Sequence, residues 1–172
     1  MSGQIMPSSS KNIERYTPKW VFDGLDMDFD LDPAAPEAHC PSKDRCASWF
    51  TKDDDGLSKE WCGRVWLNPP WTRGAKRAWV HKLYRHGNGI ALVRGGVDSK
   101  WLHDNPPVAI LLLRGRVNYL RSDEAGERYR KGGAKGGFEP SMLLAYGESC
   151  AQEMSISKLD GIMCNVVWSG SA

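Results

Sequence analysis

Hydrophobic runs along the chain are short, and polar or proline-containing breaks separate them. Phe29-Asp30-Leu31-Asp32 alternates apolar and acidic residues and stops at Pro33, the signature of a short strand over 28–32. Val65-Trp66-Leu67 marks a second strand over 64–67, and further runs predict strands at 89–94, 108–113, 140–146 and 163–168. Between the second and third strands, Ala75, Ala78, Trp79, Lys82 and Leu83 recur at helical spacing, which predicts a helix from about Arg73 to Arg85. A shorter helix is expected from Lys19 to Leu25, with Thr17 as N-cap and Pro18 at the first helical position. Strand, helix and strand in this order imply an α/β fold built on a parallel sheet with right-handed crossovers.

Composition narrows the picture without redirecting it. A chain of 172 residues can bury a full core, and one domain is the default. Residues 1–14 are Ser-rich and read as a flexible arm, with neither the apolar core nor the cleavage pattern of a signal peptide, leaving 15–172 as the domain. No stretch approaches the roughly 20 apolar residues of a membrane helix. His39, Cys40, Cys46 and Cys62 do not form paired Cys-x-x-Cys knuckles, so reduced thiols are the simpler reading and no metal is expected.

The most specific chemistry lies at the carboxyl end of the second strand, in Asn68-Pro69-Pro70-Trp71. Ligands of open α/β sheets bind at that edge. An exocyclic amine on adenine or cytosine, or a glutamine amide, is a poor nucleophile because its lone pair is delocalised. The side-chain carbonyl of Asn68 and the backbone carbonyl of Pro69 are suited to accept its two N–H hydrogens and bias the nitrogen toward tetrahedral geometry. The two prolines stiffen the turn, and Trp71 offers a ring face to a planar base, worth roughly 1–3 kcal/mol. Taken alone, the four residues also suit an ordinary strand-ending turn. Asp32 sits at the tip of the first strand, able to accept hydrogen bonds from a ligand's ammonium or hydroxyl groups.

Thr17-Pro18 with its helix, then Leu31-Asp32-Pro33-Ala34, then Asn68-Pro69-Pro70-Trp71 resemble, in that order, the S-adenosylmethionine-dependent amino methyltransferases of DNA. More narrowly the chain, from about Tyr16 to Tyr146, resembles the small DNA N6-adenine methyltransferases encoded by bacteriophages and prophages. That resemblance implies a compact Rossmann-like class I methyltransferase sheet with flanking helices, S-adenosylmethionine as cofactor, and the cytoplasm of a bacterial host as location. Tyr16, Thr17 and Pro18 would lie by the methionine moiety, Asp32, Pro33 and Ala34 would contact the cofactor, and Asn68 to Trp71 would form the catalytic turn. Asp55 resembles the acidic position that bonds the cofactor's adenine. The chain departs from the broader pattern after Ala35, where Pro36-Glu37-Ala38 stands in place of Gly-x-Gly.

With 23 basic and 21 acidic residues, overall charge says little about a DNA partner, whereas its distribution says more. Arg114, Arg116, Arg121, Arg128, Arg130, Lys131 and Lys135 crowd one segment that ends in a Gly-rich stretch, and Arg73, Lys76, Arg77, Lys82 and Arg85 follow the catalytic turn. Both clusters are expected to neutralise phosphates, around an adenine flipped into the site and stacked on Trp71 opposite Tyr119 or Phe138. The alternatives are N4-cytosine methylation by the same amine chemistry, glutamine methylation on a protein, and an inactive DNA-binding module of the same fold.

Overall fold

The computed structural model describes residues 15–36, 41–71, 74–119 and 139–167. Seven strands form one sheet: β1 (Phe29–Asp32), β2 (Cys46–Trp49), β3 (Val65–Leu67), β4 (Gly89–Arg94), β5 (Ala109–Val117), β6 (Glu139–Tyr146) and β7 (Gly161–Asn165). Their spatial order is β2-β1-β3-β4-β6-β5-β7. From β2 to β4 the pairing is parallel, as the strand and helix pattern predicts. From β4 onward every pairing is antiparallel, because β6 runs back between β4 and β5 and β7 closes the edge against β5. The expectation of a parallel sheet therefore holds for one half.

Helices α1 (Lys19–Leu25) and α4 (Glu148–Ser155) cover one face of the sheet, and α2 (Ala75–His86) with the single turn α3 (Lys100–His103) covers the other. The central strands are consequently buried on both sides. Val65, Trp66 and Leu67 are all inaccessible, with Trp66 packed on Phe22 of α1 and Phe29 of β1 and its neighbours facing Trp79, Val80 and Leu83 of α2. A continuous apolar run rather than an alternating one is what a strand covered on both faces requires. No helix among the described residues is long and apolar enough to cross a membrane.

Three local expectations shift. Helix α1 has Pro18, not Thr17, as its N-cap, with extended φ and ψ of −64° and 144° and no side-chain cap, and Thr17 is buried for another purpose. Helix α2 starts two residues later than predicted, after Gly74 at φ 84°, and buries Val80 while Ala78 faces out. Strand β2 and helices α3 and α4 add to the elements the pattern predicts.

Candidate active site

The chain leaves β1 outward to β2, then returns across β1 to place β3 on its other side, so the order reverses between β1 and β3. The crevice beyond the carboxyl ends of two such strands is where open α/β sheets bind ligands. Asp32 ends β1, and Asn68 follows the last residue of β3. Each motif read from the sequence thus stands at the switch point.

Asn68 is held by groups more than fifty residues away. Its Nδ2 donates to the carbonyl of Arg15 at 2.7 Å and to the hydroxyl of Thr17 at 3.3 Å. The opposite amide orientation would set the Asn68 oxygen against the Arg15 carbonyl oxygen, so that contact decides which way the side chain faces. Its Oδ1 is buried and has no hydrogen-bond partner among the described residues. The Arg15 carbonyl fixes this orientation, and Thr17, expected as a helix cap, adds a second, longer contact to the same amide nitrogen.

Asp32 lies 3% exposed beneath the same recess, accepting from the Ala34 amide at 3.1 Å and from the Ser42 hydroxyl. Burial pushes its pKa up to about 6, and those two hydrogen bonds only partly oppose the shift. Thr17, Asp32, Ser42 and Asn68 share the lining of this small recess with Tyr16. Pro18 turns its carbonyl to the amide of Val21.

A cavity of about 290 Å³ opens beside it. Pro33, Ala34 and Ala35 after β1 form one wall, Asp55 and Gly56 after β2 form another, and the Asn68–Trp71 turn forms a third. Asp55 is exposed and adopts φ 50°, and a Cβ on Gly56 would lie 2.0 Å from the Pro33 carbonyl oxygen. A glycine thus brings two backbones together at this cavity, but it comes from the second strand's loop rather than from a Gly-x-Gly after the first. Trp61 Nε1 donates to the Gly56 carbonyl at 2.8 Å, and Lys82 donates to the carbonyls of Leu57 and Lys59 while lying over the Trp61 ring. Lys82 therefore pins the cavity wall to α2 rather than facing solvent for phosphate.

A second cavity, of about 330 Å³, lies on the β4 side of the turn, where Pro69, Pro70 and Trp71 meet Lys76, Leu92 and Arg94. Lys76 is half-buried, bonded to the Arg94 carbonyl and held 4.5 Å from the Trp101 ring centroid. Burial and the nearby Arg94 lower its pKa. Its ammonium is therefore committed to the protein, contrary to the phosphate contact expected of it. Trp71 meets Tyr119 edge to face at 4.6 Å, and guanidinium carbons of Arg94 and Arg15 lie 4.4 and 5.3 Å from its centroid. The open ring face expected at Trp71 is thus occupied by side chains.

Of the expected DNA contacts, Arg116 is exposed on β5. Arg73, Arg121, Arg128, Arg130, Lys131, Lys135 and Phe138 lie outside the described residues. Arg77, 68% exposed, pairs with Asp104 at 3.5 Å. Among the described residues no group of three or more His, Cys, Asp or Glu is placed to hold a metal ion.

A family model described as DNA N-6-adenine-methyltransferase (Dam) matches residues 7–161, which spans the recess, both cavities and six of the seven strands. No curated protein and no solved structure matches.

Proposed function

The chain belongs to the DNA N-6-adenine-methyltransferase (Dam) family, and from that premise we propose how its residues carry out methyl transfer to the 6-amino group of adenine in DNA. The observation that carries the reading is the Asn68 carbonyl, buried, oriented by Arg15 and Thr17, and without a partner. An unsatisfied buried acceptor costs on the order of 1–3 kcal/mol, and a fold keeps one where a ligand completes it.

S-adenosylmethionine suits the 290 Å³ cavity and its recess. Asp32 and Thr17 offer acceptors for an ammonium or hydroxyl group at one end, Asp55 offers a carboxylate at the other, and proline, alanine and tryptophan side chains lie between. When bound, this cofactor supplies the electrophilic methyl group. Asn68 Oδ1 and the Pro69 carbonyl accept hydrogen bonds from the adenine amine, drawing its lone pair out of conjugation at the moment charge develops on nitrogen. Pro69 and Pro70 hold those acceptors without reorganisation. The base enters from the β4 side and stacks on Trp71. As the N–CH3 bond forms the S–CH3 bond breaks to leave S-adenosylhomocysteine, and the methylated amine then gives its proton to solvent water, so Asn68 serves as an acceptor rather than as a base. Arg116, Arg77 and Arg85 are solvent-exposed and are assigned to phosphates, with Arg77 exchanging Asp104 for one, whereas Lys76 and Lys82 are turned onto backbone carbonyls.

Incubation with unmethylated DNA and labelled S-adenosylmethionine, followed by nucleoside mass spectrometry, is expected to yield N6-methyladenine. Asn68→Ala is expected to lower kcat by roughly 10²–10³-fold, the usual cost of removing one group that stabilises transition-state charge. Affinity for S-adenosylhomocysteine, read by calorimetry, should remain nearly unchanged. An equal loss of both would assign Asn68 to the cofactor instead of the amine.

A further inference from the structure

Arg94 is the last residue of β4 and lines the second cavity, with its guanidinium carbon 4.4 Å from the centroid of Trp71. A guanidinium is planar, delocalised and weakly hydrated, so it stacks on an indole much as a nucleobase does. One area of ring face cannot hold both. The backbone beneath Arg94 is fixed, since its carbonyl accepts from Lys76, which in turn rests on Trp101. Arg94 is exposed at the sheet's carboxyl edge, so the path outward leads toward solvent.

We infer that Arg94 is a specificity-determining residue of this site: its guanidinium fills, in the DNA-free protein, the stacking place of the target adenine, and the arriving base displaces it onto a phosphate of the same DNA strand. The inference rests on the assignment of Trp71 as the stacking platform. Its consequence is selection by context. A free adenine nucleoside must break the Arg94–Trp71 contact with nothing in return, whereas an adenine carried on DNA brings a phosphate for the displaced cation. The contact is worth about 0.5–2 kcal/mol, which corresponds to a roughly two- to thirtyfold bias against the isolated base.

The test compares wild type, Arg94→Ala and Arg94→Lys, each loaded with S-adenosylhomocysteine and titrated by calorimetry with 2′-deoxyadenosine. The same proteins are assayed on duplex DNA across a range of salt. Arg94→Ala is expected to bind the nucleoside about two- to thirtyfold more tightly than wild type. Its log(kcat/KM) on duplex should be lower and should fall less steeply with log salt, by about one phosphate contact. Arg94→Lys keeps a charge without the planar fork, so the salt slope should return while nucleoside affinity stays closer to that of Arg94→Ala. Unchanged or weaker nucleoside binding by Arg94→Ala would overturn the inference, and so would an unchanged salt slope. Wild-type protein that fails to methylate DNA, while Arg94→Ala still gains affinity for the nucleoside, would sink the assignment of the catalytic turn and leave the Arg94 contact standing.

Discussion

At Asp32 the fold keeps a carboxyl group from water with the Ser42 hydroxyl and the Ala34 amide as its partners. Its pKa stands at about 6 against 3.8 in an unfolded chain, so the folded protein holds the proton over a range in which the unfolded chain has lost it. The contribution of this group to stability is therefore complete below about pH 4 and is lost as pH rises through about 6, by as much as about 3 kcal/mol. Thermal unfolding of the ligand-free protein from pH 4 to 7 is expected to show that decline, and Asp32→Asn to remove it. Parallel curves would assign the slope to another group. Cofactor affinity should run the other way, rising over the same interval, because a ligand ammonium favours the ionised carboxylate. The positions of Asp32 and Asn68 were legible in the sequence, since each stands at the end of an apolar strand and sits in a short motif. Their states were not. The acceptor at Asn68 depends on Arg15 and Thr17, and the buried carboxyl of Asp32 on Ser42, all contacts that the fold creates.

The loop from β2 to β3 shows how an element can matter without announcing itself. Cys46-Ala47-Ser48-Trp49 buries only its first residue and lies at the sheet edge, so its composition carries no strand-like run of apolar side chains. Helix α4 is similarly quiet, burying only Cys150, Ala151 and Met154. The sequence offers Asp55 as a cofactor position by resemblance alone, and without β2 it supplies no strand tip to place Asp55 or Gly56. In the fold both follow a strand tip and wall the 290 Å³ cavity, and Lys82 and Trp61 clamp that loop against α2. Gly56→Ala would force a methyl group into the Pro33 carbonyl, a backbone atom with little freedom to retreat. Melting temperature is expected to fall by several degrees, as for an overpacking cost of about 1–3 kcal/mol. S-adenosylhomocysteine affinity should fall at least tenfold even at temperatures where the variant is folded. Retained affinity would show that this wall does not face the cofactor.

Across the whole molecule, the parallel half was readable because a helix between two strands enforces a crossover. The antiparallel half was not, because 108–113 and 140–146 are equally apolar whichever way they run, and nothing local orders β6 ahead of β5. Charge was misleading at this scale as well: a basic residue counts equally in the sequence whether it faces solvent, as Arg77 does, or is turned inward onto carbonyls, as Lys76 and Lys82 are. The insertion of β6 between β4 and β5 has a further consequence, for the order of events during synthesis. Every residue assigned to the cofactor and to the amine has been synthesised once β4 is made, yet β4, buried along five of its six residues, still lacks the neighbour that covers its outer edge. That neighbour is encoded some fifty residues later. A chain ending at residue 119 is therefore expected to carry the complete catalytic turn and to aggregate, and a separately supplied 139–172 peptide to rescue soluble, cofactor-binding protein when the two are refolded together. A soluble, cofactor-binding 1–119 fragment would show that the site matures without its last strands. Otherwise the nascent enzyme stays inert until translation is almost finished, and its C-terminal strands act as the licence for the site made first.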